Sequence, residues 1–264
     1  MTDGRNRSRA QPAKRARRRV LAEFDGGEAV LSYYPAGHVM AEHSHDCDQR
    51  SIILAGALAE ETPGASVTLS ALHAGFKAAG QRHQNRYGPN GALILALNCA
   101  PRTPSGPTWR WRSGVDAAPV RTLVSALCAE AGNAADVDAL IADLLALGAP
   151  PLDPAAPPRW LRRLRALIEA EPQAASVQAL ADVAGVHRVY LARAYKAAYG
   201  APISLDRRRF QTAQALRALL EDGASPAEAA AQAGFSDQPH FTRSLKADAG
   251  LTPGRLACVL QSAA

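Results

Sequence analysis

Two stretches near the C-terminus share one pattern, and it restricts the fold more than any other feature of the chain. Residues 184–200 read AGVHRVYLARAYKAAYG and residues 233–250 read AGFSDQPHFTRSLKADAG. Each opens on Ala-Gly-apolar, and Leu191, Arg193, Lys196 and Gly200 recur later as Phe241, Arg243, Lys246 and Gly250. A unit duplicated at a fixed offset calls for one structural explanation of both copies. The spacing predicts a helix, a tight turn and a second helix in each. Ser176 is the N-cap candidate of the first unit, ahead of a helix with Leu180, Val183 and Ala184 on its inner face. Gly185 takes the turn, where a left-handed backbone is easy only without a Cβ. A second helix from about Arg188 to Ala198 ends on Gly200 as a C-cap. In the second unit Ser225-Pro226-Ala227-Glu228 forms a capping box with Pro at the first helical position. Gly234 turns, Ser236 caps the next helix, and Pro239 falls in its first turn, where no backbone donor is lost. Leu191, Tyr195, Phe235, Phe241 and Leu245 are the expected core of the two units.

Between the units, Ile203–Asp222 predicts one helix with an apolar stripe of Leu205, Phe210, Ala213, Leu216, Leu219 and Leu220. Twenty residues at ~1.5 Å each span ~30 Å. Successive major grooves on one face of DNA lie ~34 Å apart. Such a helix is about long enough to set two reading helices in adjacent grooves.

These motifs carry a resemblance. Residues 159–260 resemble the DNA-binding domain of the AraC/XylS transcription regulators, through AGFSDQPHFTRSLKADAGLTPGRL and through VxxxYLARAYKxxYGxxP at 186–202. The resemblance implies an all-α reader of double-stranded DNA built from two helix-turn-helix subdomains. Its base-reading positions fall at Val189, Tyr190, Ala192 and Arg193, beside Arg188 at the helix start, and at Gln238, His240 and Arg243. Lys196 and Lys246 become phosphate contacts. Arg193 and Arg243 each lie two residues beyond a core anchor, a turn of ~200° on a helix, so they face outward. Arg bidentate to guanine is the commonest specific base contact. Ala192 is too short to hydrogen-bond a base edge, Pro239 replaces a commonly polar residue, and His187 stands where Ser usually caps.

The N-terminal half reads differently. Ala29–Tyr33, Ser51–Leu54, Val67–Leu72, Ala92–Leu97 and Trp109–Trp111 are short strand candidates separated by Pro, Gly and Asn, the spacing of an antiparallel barrel or sandwich. Val120, Leu123, Val124 and Leu127, then Val137, Leu140, Ile141 and Leu144, follow helical periodicity. These helices either form a dimer seam or cover the barrel. Residues 148–158, GAPPLDPAAPP, form a Pro-rich linker.

PAGHVMAEHSHDCDQRSIILAGAL is similar to the first motif of cupin barrels, and GFKAAGQRHQNRYGPNGALILAL resembles the second. The resemblance implies a sensor barrel in which His43, His45 and His83 line an effector pocket or hold a metal. The acidic ligand expected a few residues after His45 is absent, Cys47, Asp48 and Gln49 standing nearby, so no cofactor is expected.

Charge divides the chain. Residues 1–20 carry eight Arg or Lys and one Asp, residues 21–157 eight basic and fourteen acidic groups, and residues 158–264 fourteen basic and nine acidic ones, giving +7, −6 and +5. Basic ends beside an acidic middle suggest that only the ends meet a polyanion. Cys47, Cys99, Cys128 and Cys258 form no CxxC pair, which fits reduced thiols in the cytoplasm. The arginine-rich start precedes no apolar stretch, so neither a signal peptide nor a membrane span is expected.

The expected organisation is α+β and multidomain: a disordered basic arm at 1–20, serving phosphate contact or solubility alone; a cupin-like β-barrel sensor at 25–115; a helical dimerisation or cover segment at 116–147; the linker; and the tandem helix-turn-helix domain at 159–264. The expected function is sequence-specific transcription regulation under a small effector, without enzymatic activity. Double-stranded DNA, RNA polymerase and a second copy of the chain are the expected partners. The alternative is a metal-dependent cupin enzyme with a DNA-binding appendage.

Overall fold

The computed structural model describes residues 15–101, 108–129, 157–173 and 176–261. The second predicted helix, at 137–144, and the linker up to residue 156 lie outside them. Among the described residues eight strands come first: β1 (Arg17–Phe24), β2 (Gly27–Tyr34), β3 (Val39–His43), β4 (Asp48–Thr62), β5 (Ala65–Ser70), β6 (Ala74–Lys77), β7 (His83–Cys99) and β8 (Trp109–Arg112). They form one antiparallel sheet in the order β1-β2-β7-β4-β6-β8, with β3 on β7 and β5 on β4.

The long central strands read as near-continuous apolar runs because both of their faces are covered. Leu31 of β2, Ile52 and Leu54 of β4, and Leu93, Leu95 and Leu97 of β7 face the helices. The intervening residues, among them Ile53 and Ile94, face the inside of the curled sheet with Tyr87 and Trp111. Gly56 and Gly91 bring β4 and β7 together at a register irregularity, since a Cβ on Gly56 would lie 2.0 Å from the Gly91 carbonyl oxygen.

The basic arm is shorter than its composition suggested. Arg17, Arg18 and Arg19 belong to β1, paired with Tyr33, Ser32 and Leu31. Arg18 forms an ion pair of 2.5 Å with Glu28, and the Arg17 guanidinium donates to the Leu220 carbonyl. Both partners are supplied by the folded chain, which a local count of arginines does not reveal.

The helices are α1 (Ala117–Leu127), α2 (Arg159–Ala170), α3 (Val177–Ala184), α4 (Arg188–Tyr199), α5 (Ile203–Glu221), α6 (Pro226–Gln232), α7 (Gln238–Ala249) and α8 (Pro253–Gln261). Val120, Leu123, Val124 and Leu127 of α1 are all buried in the cluster that joins the sheet to α5–α8. In this structure its apolar face lies against the sheet and α5–α8.

The sheet and the C-terminal helices share more than apolar contact. The Tyr33 hydroxyl and the Ala36 amide both donate to Glu221 Oε1, at 2.7 and 2.9 Å, which fixes the end of α5 on the sheet. Arg121 donates to the Ala247 carbonyl at 2.9 Å and Ser125 to the Gly250 carbonyl at 3.0 Å, tying α1 to the end of α7. No helix among the described residues is long and apolar enough to cross a membrane.

Candidate nucleic-acid interface

Two copies of one local design carry the predicted reading residues. In the first, the Ser176 hydroxyl accepts from the Ala179 amide at 3.1 Å and starts α3. Gly185 closes α3 at φ +66°, and His187 then caps α4, its Nδ1 accepting from the Val189 amide at 3.3 Å. In the second, Ser225 and Glu228 form a complete capping box at α6, and the chain turns at Gly234. Asp237, rather than the expected Ser236, caps α7: its Oδ1 accepts from the His240 amide at 2.6 Å. A carboxylate there also complements the helix dipole. Ser236 instead lies 3.2 Å from His240 Nδ1. The first copy departs from expectation at Val183 as well. It is 72% exposed, because α3 turns Leu180 and Ala181 inward.

The anchors are fully enclosed. Leu191, Tyr195, Phe241 and Leu245 are 0% exposed, and Phe235 is buried. Around the first anchor, Arg188, Val189, Tyr190, Ala192, Arg193 and Lys196 are all exposed. Around the second, Gln238, Arg243 and Lys246 are exposed, while His240 is half-buried with its ring edge-on to Phe235 at 5.0 Å. Tyr190 stacks on Trp160 of α2 with ring centroids 6.3 Å apart, so its ring has one supported face. Each unit therefore turns an arginine and a lysine outward from a packed anchor, the arrangement that base-edge and phosphate contacts require.

The units are held by different means. The first closes on its own core of Leu161, Leu164, Ile168, Leu180, Leu191 and Tyr195. At its heart Asp206 accepts from the Tyr195 hydroxyl at 3.0 Å and pairs with Arg165 at 3.5 Å. Arg165 also donates to Ser70 Oγ on the sheet at 2.7 Å. Phe235, Phe241 and Leu245 of the second unit instead belong to the same cluster as Leu31, Leu95 and α1.

Within the sheet, three of the chain's seven histidines converge, those that the sequence singled out. His43, His45 and His83 each offer one ring nitrogen, all within 4.8 Å of one another. His43 Nδ1 lies 2.8 Å from the Ala41 carbonyl and His83 Nδ1 3.0 Å from the Gln81 carbonyl. Those contacts place the protons on Nδ1, and both Nε2 atoms are then buried without a hydrogen-bond partner. Burial, with nearby cationic groups, pushes the pKa of His45 and of His83 down to about 4, so both rings are neutral at pH 7. Neutral imidazoles oriented by backbone carbonyls are the donor set that a divalent transition metal takes. Glu60, the nearest buried carboxylate on the wall, is already bound by Lys77 at 2.8 Å and by the indole N–H groups of Trp109 and Trp111 at 2.6 and 2.7 Å. The cavity beside the histidines measures about 50 Å³.

Residues 180–257 match the sequence model of a family described as a helix-turn-helix domain. No curated protein matches the chain. Among solved structures, KdgF from Halomonas sp. is 24% identical over 35% of this chain and 87% of its own, with a TM-score of 0.30. The C-terminal domain of AraT, a response regulator from Geobacillus stearothermophilus, is 23% identical over 39% of this chain and 86% of its own, with a TM-score of 0.36. ToxT from Vibrio cholerae is 8% identical over 89% of this chain and 99% of its own, with a TM-score of 0.37. The family match gives the chain a helix-turn-helix domain at 180–257, which runs from within α3 to within α8.

Proposed function

We propose that the chain recognises a bipartite site in double-stranded DNA through α4 and α7, under the control of a small effector. Arg193 and Arg243 read guanine edges; Val189, Tyr190 and Ala192, with Gln238 and His240, supply the remaining base contacts; Arg188, Lys196 and Lys246 hold phosphates. The supporting observation is the repeated burial pattern: anchors at 0% exposure in both units, each with an outward arginine two residues on and a lysine five residues on. A second copy of the chain and RNA polymerase are the further partners of this reading, which places the protein in the cytoplasm and gives it no catalytic role. Binding-site selection with the full chain tests it. The expected outcome is two short conserved blocks about one DNA turn apart. Recovery of no preferred sequence overturns the reading.

The histidine cluster favours an additional role for the sheet. His43, His45 and His83 fit a divalent metal, which would be held by three imidazoles and would cross-link β3, the turn before β4 and β7. The cavity beside the histidines, about 50 Å³, has room for an ion with a few waters. One equivalent of zinc retained by the purified protein, and lost when the three histidines are replaced together, is the expected outcome. An unchanged metal content in the triple variant removes the site.

A further inference from the structure

A larger space lies elsewhere, at the seam between the sheet and the first helix-turn-helix unit. A cleft of about 310 Å³ opens between the β5–β6 turn (Ser70–His73), the start of α1 (Gly114–Ala117), and the junction of α4 with α5 (Tyr199–Arg209). It is about six times the cavity beside the histidines and reaches the size of small-ligand pockets. A small organic effector fits here.

Its wall carries polar groups that the fold leaves unused. The Tyr199 hydroxyl and Arg209 Nε are buried and have no hydrogen-bond partner. Arg209 Nε lies 3.7 Å from Asp248, near enough for charge attraction and too far for a hydrogen bond. Unpaired buried donors are costly, so a structure that keeps two at one cleft invites an acceptor from outside. His73 Nδ1 sits 2.8 Å from the Ser70 carbonyl, which leaves Nε2 as an acceptor. Leu72, in the same turn, is the one non-glycine residue with positive φ (+61°) among the described residues. Strain of that kind is kept where a site over-determines the backbone.

Most of the charged side chains at the cleft already face an opposite charge, with Arg208 and Arg121 also acting on Asp248. Arg165 and Arg209 face Asp206 and Asp248 and balance them, Asp116 is solvated at the α1 cap, and burial beside Arg165 keeps His73 neutral. A charged guest would add a buried charge with no counter-ion. We propose that this cleft binds a small uncharged molecule bearing hydroxyl or amide groups, which accepts from Tyr199 and Arg209 and spans the sheet and the α4–α5 junction. The proposal rests on effector control of the DNA reader and names where and what the effector is.

Three probes of one shape test it on the full chain by amide NMR: acetamide, acetate and acetamidinium. Acetamide should shift the Ala71, Ala117 and Ala201 signals, with the charged probes binding at least fivefold more weakly. Tyr199→Phe should leave the melting temperature unchanged or raised, since the lost hydroxyl has no partner, and should weaken acetamide binding by about two- to tenfold. Absence of acetamide shifts at these residues, tighter binding of either ion, or unchanged affinity in Tyr199→Phe overturns the proposal. DNA binding by the same protein without any probe is measured separately, so a failed DNA reading is distinguished from a failed cleft.

Discussion

The two helix-turn-helix units repeat one sequence pattern and rest on different supports. The first has a core closed on itself around Leu191 and Tyr195, with a buried Arg165–Asp206 pair, and meets the sheet through Arg165 on Ser70 and through Asn90, which donates to the Glu169 carbonyl of α2 at 3.3 Å. The second has no separate core: Phe241 and Leu245 join the cluster of Leu31, Leu95 and α1. The reason lies in α6, PAEAAAQ, whose buried residues are the alanines Ala229 and Ala230. Alanines permit close packing but remove little apolar area from water, so the second unit completes its core with the sheet. The first unit is thus a body resting on the sheet, and the second shares the sheet's core. Under the proposed effector control, a signal in the sheet would act on the placement of α4 relative to α7.

Removing Arg165 should break this contrast most severely. Arg165→Ala leaves Asp206 buried beside the Tyr195 hydroxyl with Arg209, at 3.7 Å, as its one remaining paired cation among the described residues, a change that costs up to about 3–5 kcal/mol. The loss should appear in α2–α4, measured by hydrogen exchange, while the sheet and α7 keep their protection. Equal loss of protection in both units would mean that they fold as one body.

Matched cavities sharpen the same point. Leu191→Ala and Leu245→Ala each delete a fully buried side chain and should each cost about 2–5 kcal/mol. The first should loosen only its own unit, whereas the second should also loosen β2, β4 and β7. Identical exchange patterns for the two variants would refute the difference in support.

The reading faces should behave alike where the supports do not. Arg193→Ala and Arg243→Ala each expose nothing new to water, so folding stability should hold within about 0.5 kcal/mol. Each should cost about 1–3 kcal/mol of specific binding and relax base preference in a different half of the site. Unchanged preference in both, measured by site selection, would reduce these arginines to phosphate contacts.

How much of this was legible in the sequence follows from how local each feature is. The glycine turns, the Ser176 and Ser225 caps and the anchors obey short-range rules, and all appear in the structure. Exchanging Ser236 for Asp237 as the cap is a one-residue matter between two good capping residues. Val183 was misplaced because an eight-residue helix leaves two faces compatible with the same spacing. The three histidines were legible as residue types, and only the pairing of β3 with β7 shows that they meet. Docking of the sheet on α5 was not legible: Tyr33 and Glu221 are 188 residues apart, and nothing in either neighbourhood marks the partner. The cleft left no sequence signal either, since it is assembled from a turn, a helix start and a helix junction far apart in the chain.

The smallest expected effect concerns Lys196 and Lys246, which occupy equivalent exposed positions in the last turns of α4 and α7. A lysine near a helix C-terminus is already favourable to the dipole, so its removal has a structural cost of a few tenths of a kcal/mol. Its larger effect falls on DNA. Each phosphate neutralised contributes about 0.9 to the slope of log affinity against log salt. Lys196→Ala and Lys246→Ala should therefore each flatten that slope by about one and weaken binding to all sequences alike, with no change in preferred site. Because α7 is fixed to the sheet and α4 is not, the comparison gains a further edge here. If an effector displaces the first unit, the Lys196 increment should depend on the effector, whereas the Lys246 increment should not. Equal dependence of both increments on effector would show that the two units move together, and the distinction between a resting unit and an embedded one would have no consequence for DNA binding.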